Sequence, residues 1–190
     1  MKNIAVFASH GGSNLQAVID GCKAGRINAR VSVVISNNSS AFALERAKAE
    51  GIPFYHISRM TCQDLDNETL SILAAHKADI IFLAGYLKKI SPVVIRAYEN
   101  KIFNIHPSLL PKYGGKGMHG LNVHRAVLNA GEAETGVTIH RVCHAYDEGE
   151  IIAQKRVPIL DGDTPETLAA RVLEEEHKLI TETLARLVEA

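Results

Sequence analysis

The chain reads as an α/β protein on a doubly wound, mostly parallel sheet, Rossmann-like in its layering, with a late antiparallel strand pair and a C-terminal helix. Three observations predict this. Short apolar runs alternate with longer amphipathic segments through roughly the first half of the chain, the pattern of repeated β-α units. The run Ile80-Ile81-Phe82-Leu83 is apolar at every position, which suits a strand covered by helices on both faces. The last third then changes to two strand-like segments around an acidic turn, followed by one long helical pattern.

Taken in order, Ile4-Ala5-Val6-Phe7-Ala8 predicts a buried strand, His10-Gly11-Gly12-Ser13-Asn14 a turn, and the residues to about Lys23 a helix, for which Ser13 is a good N-cap. Val31–Ile35 is a second strand, and Ala41–Glu50 a helix closed by Gly51. Phe54–Ile57 is a third, weaker strand. Leu65–Lys77 has helical spacing, with Leu65, Leu70, Leu73 and Ala74 apolar. The strand over Ile80–Leu83 stops at Gly85, and Pro92 suits the first turn of a helix ending near Asn100. Ile102-Phe103 closes a buried strand just before a proline-pinned turn. Leu121–Ala130 is helical up to Gly131. Gly136–Val142 and Ile151–Val157 are the two late strands, joined by a turn around Asp147-Glu148-Gly149-Glu150. Thr164, with Glu166 and Thr167 behind it, opens a final helix carrying Leu168, Val172, Leu173 and Leu179.

At 190 residues, 46% apolar and 22% charged, the chain suits one domain spanning 1–190 with a substantial core. Lysine plus arginine (21) equals aspartate plus glutamate (21), which argues against nucleic acid or an anionic membrane as partner. No apolar run approaches the ~20 residues of a membrane span, and Ser9, His10 and Ser13 interrupt any leader-like pattern. The three cysteines, Cys22, Cys62 and Cys143, are odd in number and widely spaced, as reduced thiols of a cytoplasmic protein would be. No linker composition, repeat or low-complexity segment interrupts the chain.

The segment most loaded with chemistry is Asn104-Ile105-His106-Pro107-Ser108-Leu109-Leu110-Pro111. Residues two apart on an extended chain face the same way. Asn104 and His106 therefore address one small volume with a neutral donor and a group that titrates near pH 7. That pairing equips a site to stabilise an oxyanion and move a proton, as acyl transfer requires. The plainer alternative is a turn stabiliser beside a partly buried histidine. A carboxylate is expected to orient the imidazole; Asp147, in the late turn, is the candidate, although an aspartate there is also an ordinary solvated turn residue.

Gly11-Gly12-Ser13-Asn14 joins a strand to a helix, where glycines allow close approach and free amides attract phosphate. It is neither a P-loop nor GxGxxG, so a single phosphate fits better than a nucleoside triphosphate or dinucleotide; a capped turn without ligand is the alternative. Nine histidines raise the question of a metal. His140 and His144 lie four apart in a strand-like context, ~13 Å along the chain, and His119 and His124 flank a glycine-rich loop, so no metal is expected. Tyr113–Gly120 is either a lid or a surface loop, and Lys88 and Lys89 either meet an anion or are solvated. Ligands of open parallel sheets collect beyond the strands' carboxyl ends. Ser9–Asn14, Gly85–Lys88 and Asn104–Pro111 should therefore share one sheet edge.

These residues resemble the folate-dependent phosphoribosylglycinamide formyltransferases of de novo purine synthesis. The likeness runs from Ile4 to about Leu179. It rests on Gly12-Ser13-Asn14-Leu15-Gln16, Leu83-Ala84-Gly85, the Asn104–Pro111 signature, Gly136-Val137-Thr138-Ile139-His140, Asp147, Gln154 and Glu176-His177. The resemblance implies that Gly12, Ser13 and Asn14 hold the substrate's phosphate and that Glu176 meets its glycinamide or ribose. It implies a folate cleft lined by Leu87, Lys88, Lys89, Ile90, Asn104, Cys143, His144, Ala145, Tyr146 and Asp147, with Asn104, His106 and Asp147 as the catalytic trio. Residues 1–100 would form the half that binds the phosphorylated substrate, and 101–190 the catalytic and folate-binding half. The co-substrate would be 10-formyltetrahydrofolate, the partners small molecules rather than nucleic acid or membrane, and the chain a monomer or homodimer. Lysines at 88 and 89, and a loop from Gly114 to Gly120 about four residues longer than usual, are departures from the family pattern.

Overall fold

The computed structural model describes residues 1–189. Its elements are β1 (Lys2–Phe7), α1 (Ser13–Lys23), β2 (Ala29–Ser36), α2 (Phe42–Ala49), β3 (Phe54–His56), α3 (Leu65–Ala75), β4 (Ile80–Leu83), α4 (Pro92–Ala97), β5 (Ile102–His106), α5 (Leu121–Asn129), β6 (Glu134–Arg141), β7 (Ile151–Pro158) and α6 (Pro165–Leu187). The strands form one sheet in the order β3-β2-β1-β4-β5-β6-β7. β1 to β5 pair in parallel, whereas β5 with β6 and β6 with β7 are antiparallel. The expected mostly parallel sheet, the late antiparallel strands and the C-terminal helix are all present.

The alternation within β1 explains why the sheet is covered twice. Ile4, Val6 and Ala8 join one apolar cluster, with Leu15 and Val18 of α1, Ala43 and Leu44 of α2, Val123 and Val127 of α5, and Leu168 and Val172 of α6. Ala5 and Phe7 face the other, with Ile72 and Leu73 of α3 and Val94 and Ile95 of α4. A period of two on the strand thus feeds two cores. All four residues of β4 are buried, as expected of a continuous apolar run at the sheet's centre.

Several boundaries differ from expectation for local reasons. The fourth helix ends at Ala97 instead of near Asn100, because Asn100 takes a left-handed φ of 61° that a right-handed helix cannot include. β5 continues through Asn104 and Ile105 to His106, since β6 pairs with it from Phe103 to His106; the turn begins only at Pro107. At α6 the expected N-terminus is borne out in detail. Thr164 accepts from the Thr167 amide, and the Thr167 side chain returns the bond, closing a capping box.

The turn after β5 is held by the neighbouring strand. Thr138, fully buried on β6, donates its hydroxyl to the Ser108 carbonyl at 2.7 Å and accepts the Leu110 amide at 3.1 Å. Gln154 of β7 donates both to that hydroxyl and to the Leu110 carbonyl, each at 2.9 Å. Thr138→Val keeps the shape but strips these partners. It should lower unfolding stability by about 1–3 kcal/mol, the usual penalty for stranding buried polar groups. An unchanged urea midpoint would show that the hydroxyl does not hold this turn.

Candidate active site

The sheet order reverses between β1 and β4, the two strands from which the chain winds outward in opposite directions. Loops leaving their carboxyl ends diverge and open a crevice. The resulting cleft, of about 920 Å³, is lined by His10–Asn14 after β1, Gly85–Ile90 after β4, Asn104–Pro107 at the end of β5, Gly115–Leu121, and Glu176 on α6. The three strand-end segments expected on one edge do meet there.

At one end of the cleft, Gly12 has φ 71°, and a β-carbon on it would stand 2.9 Å from Ala43 of α2. Both conditions demand glycine. Gly12 rather than Ser13 occupies the cap position, and no side chain caps the helix. The capping role expected for Ser13 is therefore corrected: the left-handed glycine starts α1 one residue earlier and makes Ser13 its first helical residue. The first-turn amides of α1 have no carbonyl of their own helix to bond. Beside them, Asn14 Nδ2 donates to Glu176 Oε2 at 3.2 Å, while Asn14 Oδ1 is buried without a partner among the described residues. Glu176 is 7% exposed, and burial, only partly opposed by the Asn14 bond, pushes its carboxyl up to about 7.

At the other end, Asn104, His106 and Asp147 converge. Asn104 lies opposite His140 in the β5–β6 register. His140 Nδ1 is 3.0 Å from the Arg141 carbonyl, to which it donates, so Nε2 is left as an acceptor and takes a bond from Asn104 Nδ2 at 3.0 Å. The second Asn104 N–H points toward Asp147 Oδ1 at a long 3.5 Å. Asp147 also accepts the Gly115 amide at 2.8 Å and lies 3.4 Å from His140 Nε2 and 3.7 Å from His106 Nδ1. His106 Nε2 donates to the Tyr113 carbonyl at 2.8 Å, which leaves Nδ1 as the nitrogen facing Asp147.

Burial alone would raise the Asp147 carboxyl, but the neighbouring His140 and His106 rings and the Gly115 amide together hold it below the usual carboxylate range. For His106 the balance runs the other way. Burial lowers its pKa, and the Asp147 charge and the Tyr113 carbonyl offset this only in part. The site at neutral pH therefore pairs an ionised carboxylate with a neutral imidazole. Asp147 itself holds a left-handed φ of 55°, strain of a kind that clusters at functional positions.

Of the residues implied for a folate cleft, Leu87, Lys88, Lys89, Ile90, Asn104, Cys143, Ala145, Tyr146 and Asp147 line it. His144 does not; it is exposed and off the wall. The Lys89 ammonium stands 5.4 Å from the centre of the Tyr146 ring, closing one side by a cation–π contact. The loop from Gly114 is part of the wall and is tied to Asp147. A β-carbon on Gly114 would lie 2.6 Å from Leu110 Cδ2 and 3.1 Å from Asp147 Cβ, so the bare glycine lets the loop reach the carboxylate. No group of three or more metal-binding side chains occurs among the described residues, nor does any helix among them have the length and apolarity to cross a membrane.

Three participants escaped sequence reasoning. The sequence offers His140 only as a metal-ligand candidate and as part of a strand motif; its pairing with Asn104 depends on strand register. The Tyr113 carbonyl and the Gly115 amide act through the backbone and leave no side-chain signal. His124 also lines the cleft. It is 4% exposed, with burial and then the neighbouring His106 lowering its pKa.

An amide, an imidazole and a carboxylate gathered at the switch point of a doubly wound sheet have the groups that acyl transfer requires, a donor for an oxyanion and a carrier for a proton. Residues 2–184 match the family model described as formyl transferase, and the chain belongs to that family. Its named relatives are more particular. It is 38% identical over 180 residues to the phosphoribosylglycinamide formyltransferase of Escherichia coli, covering 93% of this chain and 82% of that one. It is 41% identical over 192 residues to the chloroplastic phosphoribosylglycinamide formyltransferase of Arabidopsis thaliana, covering 99% of this chain; the chain spans 66% of that relative's length. The crystal structure of glycinamide ribonucleotide transformylase 1 from Symbiobacterium toebii superposes with a TM-score of 0.92 at 40% identity, covering 100% of this chain and 88% of that one.

Proposed function

We propose that the protein transfers a formyl group from 10-formyltetrahydrofolate to the amine of N1-(5-phospho-D-ribosyl)glycinamide, in de novo purine synthesis. The observation that carries this reading is the single cleft that joins a phosphate-type turn to the Asn104, His106 and Asp147 cluster. The names of the relatives point to the same reaction. Residues 1–100 supply the turn for the phosphorylated substrate, and 101–190 the catalytic trio. Each ligand nevertheless draws on both halves, since Glu176 reaches Asn14 and Leu87–Ile90 face Cys143–Asp147.

The substrate's phosphate sits on Gly12, Ser13 and Asn14, with Glu176 toward its ribose or glycinamide. The folate occupies the wall from Leu87 to Ile90 and from Cys143 to Asp147. The neutral amine attacks the formyl carbon, giving a tetrahedral oxyanion and an ammonium. The Asn104 N–H held only loosely toward Asp147 turns to donate to that oxyanion. The bare Nδ1 of His106 takes the ammonium proton, Asp147 stabilises the imidazolium so formed, and the same proton passes to the departing folate nitrogen. Folding His106 in its neutral form therefore readies it as an acceptor. The partners are small molecules in the cytoplasm, and the working unit is a monomer or homodimer.

An assay with 10-formyltetrahydrofolate, run with and without the ribonucleotide, tests the reading. Tetrahydrofolate should appear only when both are present. Release in the ribonucleotide's absence would make the acceptor water, and no release at all would make the chain a binder. Ser13→Asp supplies a narrower check. An acid in the first turn of α1 favours the helix but opposes a phosphate, so stability should hold while the KM for the ribonucleotide rises about tenfold or more and folate binding stays level. Unaltered ribonucleotide affinity would remove the phosphate from this turn.

A further inference from the structure

The turn at Gly11–Asn14 presents an electrostatic problem that its own residues leave unsolved. The turn itself, His10, Gly11, Gly12, Ser13 and Asn14, and the Glu176 bonded to it contribute no lysine or arginine to the cleft wall. A strand that runs out into a turn also exposes carbonyl oxygens, which would repel an anion. Here α2 removes two of them. The His10 carbonyl accepts the Ala43 amide at 3.0 Å, and the Gly11 carbonyl accepts Arg46 Nε at 2.8 Å. The guanidinium is itself held on two further sides, by a 3.2 Å bond from Nη1 to Gln16 Oε1 and by the Phe42 ring, 5.1 Å from its centre. Arg46 does not line the cleft. It stands behind the turn, its Cδ 3.3 Å from where a Gly12 β-carbon would be.

The Gly11–Gly12 peptide is trans, the one cis bond among the described residues being Leu110–Pro111. In a trans peptide the C=O and N–H point in opposite directions. Fixing the Gly11 carbonyl on Arg46 therefore turns the Gly12 N–H away from α2, and that N–H has no hydrogen-bond partner among the described residues. A cation on the carbonyl also polarises the peptide, making its N–H a stronger donor.

We infer that Arg46 is a positioning residue for the substrate's phosphate. It acts through the Gly11–Gly12 peptide, withdrawing a carbonyl from the anion site and aiming and strengthening the Gly12 amide. The inference rests on the proposed phosphate turn and adds to it the source of positive charge. Arg46 touches neither the reacting formyl group nor the folate wall, so its contribution falls on binding of the phosphorylated substrate and not on the chemical step.

Titration of the whole protein with inorganic phosphate, followed at the Gly12 amide by 15N–1H NMR, tests this apart from turnover. In the native chain that amide should shift as phosphate binds. In Arg46→Ala the shift should shrink and the phosphate Kd should rise about tenfold, as expected on loss of one charge-assisted contact. Arg46→Lys should recover part of the loss. Kinetically, Arg46→Ala should raise KM for the ribonucleotide by a similar factor, with kcat within about twofold. Binding of the dephosphorylated glycinamide riboside should be unchanged. Equal losses for ribonucleotide and riboside would mean general damage to the turn and would overturn the proposal, as would a phosphate response at Gly12 unaffected by Arg46→Ala or absent from the native chain. A native protein that binds phosphate here yet does not transfer formyl groups would refute the proposed reaction and leave the Arg46 assignment standing.

Discussion

Asn104→Ala is expected to lower formyl transfer about 10²- to 10³-fold while both ligands still bind, the usual loss when one oxyanion donor is removed. The geometry explains why the loss should fall on kcat. One Asn104 N–H is committed to His140 Nε2 at 3.0 Å, and the other reaches Asp147 only at 3.5 Å. The weak bond is exchanged for a strong one as charge builds on the formyl oxygen, so the contact gains strength mainly in the transition state. His106 and Asp147 remain in the variant and retain proton transfer. Measured kcat with unchanged ligand dissociation constants is the signature. Turnover close to native would take the oxyanion role away from Asn104.

Glu176→Gln should stabilise the fold at alkaline pH and weaken the ribonucleotide. The folded carboxyl titrates at about 7, against 4.5 unperturbed, because it is buried. Below about pH 4.5 it is protonated in folded and unfolded chains alike and has no effect. As pH rises from there to 7, the unfolded chain releases the proton that the folded one keeps, and stability falls; above 7 the whole penalty is present. The displacement corresponds to on the order of 3 kcal/mol. Glutamine keeps an oxygen for the Asn14 bond but has no charge to bury. Its Tm should exceed that of the native chain by several degrees at pH 8 and match it at pH 4. A lower Tm for the variant at pH 8 would mean that the carboxylate is satisfied by charge partners, contrary to its surroundings. Weaker ribonucleotide binding in a more stable variant would mark Glu176 as a group kept for function at the expense of stability.

Both predictions rest on residues that the sequence exposes unevenly. Asn104 and His106 were legible because spacing of two on a strand is a local property, and the apolar run before them announced the strand. Asp147 could be nominated only as a carboxylate in an acidic turn. Its role depends on β6 pairing beside β5, which brings the β6–β7 turn alongside that strand, and on Gly114 being small enough for the loop amide at Gly115 to reach it. A serine at the strand-to-helix junction predicts a cap at Ser13, but a left-handed Gly12 holds that position, with α2 packed against the turn. His144 shares a segment with four cleft-lining residues, yet its side chain is exposed and off the wall.

Local pattern therefore determined the elements, the two-sided burial of the sheet and the strand-end placement of the reactive pair. These depend on periodicity and turn chemistry within about ten residues of chain. Only the tertiary structure decided which strands are neighbours, that the order reverses between β1 and β4, that His140 stands opposite Asn104, and that Arg46 and Glu176 flank the turn from separate helices. Such contacts join residues up to 162 positions apart. They are chosen by the packing of whole faces, for which no short stretch of sequence carries the energy or the information.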